Sequence, residues 1–236
     1  AAHQCDPPMS DLVRLAARIE GALPGGVAVR IRPPGGDLGG LLPVEESAVA
    51  RAVAKRREEF ATGRALGRSA LTALGAPPVA IPVAESREPI WPGGFTGSIS
   101  HGADLVVAVV APEGVLASLG IDVEERGPLP PGTSHLILHP REVRSARDAG
   151  WPPVAVFSAK EAVHKALFPS TRVWMDFLDV EVLPNADGSF QVIPAEDEGT
   201  TTAPGLEELR GRLLLSHRRV VAVVFRPTSP GARPAG

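Results

Sequence analysis

Apolar residues recur along the chain with two periods, one near 3.6 residues and one of two residues. The helical period predicts an amphipathic helix over residues 11–20, a long helix over 47–74 and a third over 158–168. Ser158 and Glu161 have the spacing of a capping box, which predicts that the third helix starts at Ser158. Strand patterns occupy residues 27–31, 105–111, 116–122, 174–177, 180–183, 190–193, 212–215 and 220–225. Helices and strands mixed in this way predict an α+β fold.

Length and composition bound the class of protein. A chain of 236 residues can hold one large or two small domains, and 44% hydrophobic residues suffice for a buried core. The net charge of −3 argues against a general nucleic-acid-binding protein. No run approaches about 20 apolar residues and no secretory signal opens the chain, so we expect no membrane span and a cytoplasmic location. The single Cys5 excludes a disulfide framework within the chain.

Two acidic residues alternate at the end of a predicted strand, in the sequence Gly-Ile-Asp-Val-Glu at 120–124. Because successive side chains of a strand point to opposite faces, Asp122 and Glu124 share one face. The third predicted helix adds Glu161 and Lys165, one turn apart. Carboxylate oxygens suit Mg²⁺, which leaves coordination positions for substrate phosphates. In the structural alternative, Glu161 closes the helix cap and Lys165 pairs with it on a solvated surface.

Arginines are concentrated on the long predicted helix over residues 47–74, at Arg56, Arg57, Arg64 and Arg68. Guanidinium groups present forked donors that suit phosphate, so these side chains could form a phosphate-binding stripe. The alternative is a solvated helix face on which the arginines pair with neighbouring glutamates. The spacing alone does not decide between the two.

A third motif, Gly-Ser-Ile-Ser-His at 97–101, precedes the Val-rich strand at 105–111. A lone His101 would most simply be a polar residue where a strand turns into a loop. The three motifs together, in this order, resemble those of the 4′-phosphopantetheinyl transferase superfamily. The hallmark of that family is Gly-Ile-Asp-x-Glu followed by Phe/Trp-Ser-x-Lys-Glu-Ser/Ala-x-x-Lys. Every fixed position of the hallmark is filled here, at 120–124 and 157–165.

The resemblance implies a pseudo-twofold, two-lobed α+β fold in which each lobe is a small sheet packed on a long helix. We expect an N-terminal lobe over residues 1–112, which contacts the nucleotide end of coenzyme A. We expect a C-terminal lobe over residues 113–226, which carries the magnesium and catalytic residues. The Pro/Gly-rich residues 227–236 are expected to be a disordered tail. A weak internal similarity agrees with this symmetry, because Ser-His at 100–101 and at 216–217 both precede Val-rich runs.

The resemblance also implies a reaction. The 4′-phosphopantetheine arm of coenzyme A is transferred, with Mg²⁺, to a serine of an acyl or peptidyl carrier protein, and 3′,5′-ADP is released. The implied metal ligands are Asp122, Glu124 and Glu161, and the implied catalytic residues are Asp122, Glu161 and Lys165. Glu161 is the candidate base, either directly or through a bound water. The longer bacterial members of the family imply a monomer that serves polyketide or nonribosomal peptide synthases.

The same resemblance predicts which residues contact coenzyme A. Arg56, Phe60 and Arg64 fit an Arg-x-x-x-Phe-x-x-x-Arg pattern of actinobacterial members. Arg87 is the cation nearest to the position where several relatives carry a phosphate-binding lysine. The full set of predicted coenzyme A contacts is Arg56, Arg64, Arg87, Ser100, His101, Lys160 and Lys165.

Two other functions stay open from the sequence. A different Mg²⁺-dependent nucleotide phosphotransferase or hydrolase could use the same carboxylates, although the chain has no P-loop or Gly-rich phosphate cradle. A non-catalytic module that binds carrier proteins is the second, although all three carboxylates and both motif lysines are present.

Overall fold

The structure, a computed structural model, describes residues 9–36, 39–196 and 199–228. The described helices are α1 (Met9–Gly21), α2 (Pro43–Glu46), α3 (Ala54–Ala73), α4 (Ser134–Ile137), α5 (Pro140–Asp148) and α6 (Pro153–Thr171). The described strands are β1 (Ala28–Arg32), β2 (Phe95–Gly102), β3 (Leu105–Pro112), β4 (Leu116–Glu125), β5 (Val180–Pro184), β6 (Ser189–Pro194), β7 (Arg210–Leu215) and β8 (Arg219–Pro227). Within these ranges, no helix is long and apolar enough to cross a membrane.

The described strands form two antiparallel sheets. The first has the order β1-β3-β2, and the second has the order β4-β8-β7-β6-β5. The long helix α3 packs on the first sheet, and α6 packs on β4 and β8 of the second. The predicted α+β fold with two lobes is therefore confirmed. The chain passes between the sheets in the turn at 113–115, although the predicted division into 1–112 and 113–226 stays a prediction.

Two central strands bury both of their faces, which explains why their sequences are continuous apolar runs. On β3, Val106, Ala108 and Val110 pack against α3, whereas the alternate residues join a second cluster. On β8, one set of alternate residues packs under α6 and the other set joins that same second cluster. The second cluster also contains Ile19 and its apolar neighbours in α1. Helix α1 therefore covers a core that both sheets build.

Helix α6 approaches β4 most closely at a glycine. A methyl group on Gly120 would lie 2.0 Å from the carbonyl oxygen of Ala162 and 2.8 Å from the nitrogen of Ala166, both backbone atoms of α6. No side chain fits in that space. The glycine of the Gly-Ile-Asp-x-Glu motif therefore sets the distance between the strand and the helix, and it brings Asp122 close to α6.

The two sheets meet where β2 crosses the free edge of β4. An edge strand presents N–H groups that no neighbouring strand accepts. The hydroxyl oxygens of Ser98 and Ser100 accept two of these groups, from Ile121 at 3.1 Å and from Val123 at 3.3 Å. The two serines are two residues apart in β2, as are the two N–H groups in β4, so each hydroxyl meets one N–H. The motif at 97–101 therefore connects the two lobes through hydrogen bonds.

The three predicted helices begin at other residues than expected, and α1 begins at Met9, two residues before the predicted start. α3 begins at Ala54 rather than Ser47, because the residues before it form α2 and a short 3₁₀ helix. α6 begins at Pro153 rather than Ser158, and its N-cap residue is Pro152. Proline is favoured in a first turn, where its missing N–H would have no helical partner anyway. Ser158 therefore lies in the helix interior, and the capping-box prediction is wrong.

Three further predictions differ in detail. Residues 174–177 form no strand, and the last of them begins a 3₁₀ helix at Phe177–Asp179. The internal similarity falls on two hairpins, β2–β3 and β7–β8, but His101 lies in a strand and His217 lies in a turn. Of the predicted tail, Pro227 ends β8, and residues 229–236 lie outside the described residues.

The packing at Gly120 predicts a large effect of one methyl group. Gly120→Ala should lower the free energy of unfolding by about 3 kcal/mol, because the clash is with backbone that cannot rotate away. Gly114→Ala is the matched control, since a methyl group at Gly114 meets no atom within 4 Å. Its effect should stay below about 0.5 kcal/mol. Urea unfolding measures both, and equal losses would contradict the role of Gly120 as a spacer.

Candidate active site

The three sequence motifs meet at one carboxylate, that of Asp122, which is 3% exposed. Its Oδ1 accepts hydrogen bonds from the Ser100 hydroxyl (3.0 Å) and the Lys165 ammonium (2.6 Å). Its Oδ2 accepts one from the Ser158 hydroxyl at 2.9 Å. Burial of an ionised carboxylate is unfavourable unless donors replace the lost water. Asp122 therefore ties β2, β4 and α6 together.

Ser158 has a role that its spacing did not predict. It is fully buried inside α6, where a serine hydroxyl commonly bonds to a carbonyl of its own helix. Here the hydroxyl reaches across to Asp122 instead. The close approach of the helix at Gly120 makes this contact possible. Ser158 positions the carboxylate rather than capping the helix.

Glu124 and Glu161 lie beside Asp122 and carry the same charge. Burial, together with the charges of Asp122 and Glu161, raises the pKa of Glu124 to about 7 although Lys165 opposes the shift. Burial also raises the pKa of Glu161, with Lys165 opposing the shift and Asp122 adding to it. The acidic cluster, which we define as Asp122, Glu124 and Glu161, is therefore short of positive charge.

The acidic cluster fits a divalent cation by its chemistry. Among the described residues, no three acidic or imidazole groups are arranged to hold a metal ion as they stand. Lys165 and the two serines already engage both oxygens of Asp122. However, crowded carboxylates with raised pKa values are the oxygen-rich, negatively charged surroundings that Mg²⁺ prefers. The carboxylate oxygens of the acidic cluster therefore suit Mg²⁺, whereas the hydrogen bonds that Asp122 now accepts compete with its binding.

Two cavities adjoin His164 of α6. The larger, of about 280 Å³, is bordered by Glu161, His164, Trp174 and Met175 among others. The smaller, of about 200 Å³, is bordered by Arg87, Ser98, His164, Lys165 and Phe168 among others. The structure thus places Arg87 on the same cavity as Lys165, and it places Glu161 beside a partly apolar space.

Lys160 borders the larger cavity, but its ammonium is engaged inside the protein. It donates to Glu142 Oε2 (2.7 Å) and to the carbonyl oxygens of Ile137 (2.8 Å) and Phe177 (2.6 Å). A lysine ammonium has three N–H donors, and all three are used here. The structure therefore does not support Lys160 as a phosphate contact. It is a buried cation that fastens neighbouring segments to α6.

Glu142 has a counterpart in the first lobe that the sequence analysis missed. Glu45 and Glu142 are both fully buried, at the third position of a helix that begins with proline. Each accepts the N–H of its own N-cap residue, a cation from the long helix of its lobe, and a later backbone N–H. The donors to Glu45 are Leu42, Arg68 and Ile81, and the donors to Glu142 are His139, Lys160 and Val182. The shared sequence Pro-x-Glu is the signal that identifies the pair.

Arg64 is not on a solvated helix face. It is 4% exposed, and its guanidinium lies over the Phe60 ring, 4.3 Å from the centroid. Its Nε has no hydrogen-bond partner among the described residues. Burial lowers the pKa of Arg64 to about 10, with Glu45 opposing the shift and Arg56 adding to it. A buried donor without a partner is unusual, and an anionic ligand would satisfy it.

His101 lies between Arg56 and Glu59. Its Nε2 accepts a hydrogen bond from Arg56, and its Nδ1 lies 3.4 Å from the Glu59 carboxylate. Because arginine can only donate, Nε2 carries no proton, and the proton of the neutral ring is assigned to Nδ1. Burial lowers the pKa of His101, with Glu59 opposing and Arg56 adding to the shift. The imidazole is therefore neutral at pH 7. Glu59, one turn after Arg56, was missed by the sequence analysis.

The predicted site residues lie in two groups, and one residue belongs to neither. The first group consists of the acidic cluster and its neighbours, and its members are Asp122, Glu124, Glu161, Lys165, Ser100 and Arg87. The second group comprises Arg56, Arg64 and His101. His101 directly follows Ser100 in β2, so this strand connects the two groups. The exception is Lys160, whose ammonium is bound to Glu142.

The contacts of Lys160 predict a loss of stability when its charge is removed. Lys160→Met leaves the buried Glu142 without its cation, and breaking a buried pair in this way costs about 3–5 kcal/mol. The double variant Lys160→Met/Glu142→Gln removes both charges and should recover part of that loss. Chemical unfolding measures the stability of each. A stable Lys160→Met protein with weakened coenzyme A binding would restore Lys160 as a ligand.

Two models of known families match separate parts of the chain. A model of the 4′-phosphopantetheinyl transferase N-terminal domain matches residues 44–111. A model of the 4′-phosphopantetheinyl transferase superfamily matches residues 118–223. The first match contains α3 and nearly all of the β2–β3 hairpin, and the second contains most of β4 together with α6 and the acidic cluster.

Curated relatives agree with the family models. The chain is 38% identical to the 4′-phosphopantetheinyl transferase PptT of Mycobacterium tuberculosis over 197 residues, which cover 78% of this chain and 86% of the relative. It is 39% identical to the transferase Svp of Streptomyces mobaraensis over 178 residues, covering 71% and 72%. It is 38% identical to the transferase Npt of Nocardia iowensis over 143 residues, covering 59% and 64%. The chain therefore belongs to the 4′-phosphopantetheinyl transferase superfamily, in its longer bacterial type.

Proposed function

We propose that this chain transfers the 4′-phosphopantetheine arm of coenzyme A, the substrate of its family, to a serine of a carrier protein and releases 3′,5′-ADP. The observation that carries the proposal is the convergence of all three motifs on Asp122, through Ser100, Ser158 and Lys165. This convergence puts the acidic cluster at the junction of the two lobes, where a substrate can contact both.

Asp122, Glu124 and Glu161 would hold the Mg²⁺ ion on which we propose that transfer depends. The raised pKa of Glu124 supports this assignment, because a divalent cation would stabilise the ionised carboxylate that burial and the neighbouring carboxylates disfavour. When bound, the ion supplies charge neutralisation for the diphosphate of coenzyme A.

The second group of residues, Arg56, Arg64 and His101, would bind the 3′-phosphate and adenosine end of coenzyme A. The buried guanidinium of Arg64 has an Nε without a partner, and a doubly charged phosphate is a strong acceptor for it. Arg56 is held by His101, which orients a second guanidinium. Binding energy obtained at this end would position the reacting phosphate.

The cavities beside α6 suit the rest of the substrate. Arg87 and Lys165 border the smaller cavity and could contact the diphosphate. His164, Trp174 and Met175 border the larger cavity, whose mixed polar and apolar walls suit the pantetheine arm. Both cavities are also bordered by Ser86, so the two parts of the substrate would follow one continuous path.

Glu161 is the proposed general base for the serine hydroxyl of the carrier. Its raised pKa brings it closer to neutral pH, and a base is more effective when its pKa is near the working pH. Its carboxylate forms no hydrogen bond or ion pair with any other described residue, and it would accept the proton either directly or through a bound water. The ammonium of Lys165 would stabilise the negative charge that develops on the phosphate oxygens.

The proposal extends to the partner and the setting. We propose carrier proteins of polyketide or nonribosomal peptide synthases as acceptors, a monomeric enzyme and a cytoplasmic location. The resemblance to longer bacterial members of the family supports this partner, oligomeric state and location.

Incubation with coenzyme A, Mg²⁺ and a panel of apo carrier proteins tests the reaction. We expect a mass gain of one phosphopantetheine on the acceptor serine, and about a 10²-fold slower reaction with Asp122→Asn. Ser118→Ala is the matched control, because Ser118 is a buried residue of β4 whose hydroxyl has no partner among the described residues. Nucleotide turnover without carrier modification would favour the phosphotransferase alternative, and carrier binding alone would favour the non-catalytic one.

The unpaired donor of Arg64 predicts discrimination between two ligands. Arg64→Ala should weaken coenzyme A more than 3′-dephospho-coenzyme A, by about 1.5–3 kcal/mol, the range for a hydrogen bond to a charged group. Loss of the packing of Arg64 against Phe60 should weaken both ligands equally, so it does not change the ratio of their dissociation constants. Arg57→Ala is the control on the same helix, because Arg57 is exposed and pairs with Glu46. A ratio unchanged by Arg64→Ala would remove Arg64 from the site.

The raised pKa of Glu124 predicts a pH-dependent stability. In the folded protein the Glu124 carboxyl keeps its proton up to about pH 7, whereas its ordinary pKa is 4.5. The free energy of unfolding therefore falls as the pH rises between these two values. Without divalent cations, Glu124→Gln should therefore be more stable than wild type at pH 8 and equal to it near pH 4. Thermal unfolding at the two pH values measures the difference. An identical difference at both values would contradict the assignment.

A further inference from the structure

Lys165 contacts the carboxylate on which the proposed metal site depends. Its ammonium donates to Asp122 Oδ1 at 2.6 Å and to the Ser100 hydroxyl at 3.2 Å. The other oxygen of Asp122 is taken by Ser158. Both oxygens of the carboxylate therefore have donors from the protein itself, and one of the three donors is a cation.

Lys165 is also the cation that acts on the remainder of the acidic cluster. Its charge opposes the shifts caused by burial and like charge at both Glu124 and Glu161. Lys165 is the one cation among the causes of both pKa shifts in the described residues. The ammonium therefore serves as the internal counterion of the cluster.

We infer that Lys165 is a placeholder for the divalent cation, which binds at Asp122 only after the ammonium has left this carboxylate. The inference rests on the proposed function, because it takes the acidic cluster to be the metal site. Lys165 leaves Asp122 and turns to the diphosphate of coenzyme A, so one ammonium first neutralises the carboxylates and then the substrate.

The surroundings of Lys165 permit this exchange. Its side chain is 27% exposed, in contrast to the 1% of Lys160, so the ammonium is not enclosed. Lysine is a compact charge on a flexible stem and can change partners without the fixed geometry that a guanidinium requires. The cavity that Lys165 borders with Arg87 offers space for an anionic group next to the present ammonium position. The serines that hold Asp122 stay in place during the exchange.

Metal affinity of the free protein is the first test. Lys165→Gln should bind Mg²⁺ at least about fivefold more tightly than wild type by calorimetry, the lower end of typical coupling between two ligands. Arg87→Gln is the charge-matched control, because Arg87 borders the same cavity but does not contact Asp122. It should change the affinity much less. Equal effects of the two variants would mean general electrostatics and would overturn direct competition.

Chemical labelling of the wild-type protein is the second test, and it needs no variant. The chain has three lysines, at 55, 160 and 165, so acetylation at each can be followed by mass spectrometry. Lys55 is 81% exposed and serves as the reference for free reaction, while Lys160 is the buried reference. Mg²⁺ alone should raise the labelling rate of Lys165 relative to Lys55. Unchanged or slower labelling of Lys165 under saturating Mg²⁺ would overturn the inference.

The outcomes separate this inference from the proposed function. Active transfer with no effect of Mg²⁺ on Lys165 labelling overturns the placeholder role and leaves the transferase in place. A protein that neither binds Mg²⁺ nor modifies carrier proteins overturns both. Faster labelling of Lys165, together with tighter Mg²⁺ binding by Lys165→Gln, supports the exchange.

Discussion

The buried charge of Asp122 is the constraint on which the rest of the site depends. A carboxylate at this depth is stable only if donors surround it, and the donors to Asp122 come from two other elements, β2 and α6. Ser100 also accepts a backbone N–H of β4, so the hydrogen bonds that neutralise the carboxylate also join the lobes. The site and the interface between lobes are therefore one structure. A change that loosens one must loosen the other.

The two lobes use the same scaffold for opposite electrostatic purposes. Each fastens its long helix through a buried glutamate at the third position of a short helix, Glu45 in one lobe and Glu142 in the other. With α3 and α6 fixed in this way, the first lobe presents arginines and the second presents carboxylates. A substrate with a phosphate at one end and a diphosphate near its centre suits such a pair. Arg68 and Lys160 bind these glutamates and therefore serve the scaffold rather than the substrate.

Much of this could be predicted from local pattern. The apolar runs at 105–111 and 220–225 predicted strands, and β3 and β8 form there. The beginning of α6 was missed because Ser158 and Glu161 imitate a capping box, while Pro153 already starts the helix five residues earlier. A spacing rule identifies which residues are neighbours along a helix. It does not identify what lies across from them.

The sequence by itself determined the family, the residues of its motifs and the α+β class, because these depend on residue types at short spacings. The tertiary structure alone decided the roles of similar side chains. Lys160 and Lys165 lie five residues apart on one helix, yet one is bound to Glu142 and the other contacts Asp122. Ser158 and Ser118 are both buried serines, yet only Ser158 has an acceptor among the described residues. Burial and partners are set by segments far apart in the chain, and no local pattern contains them.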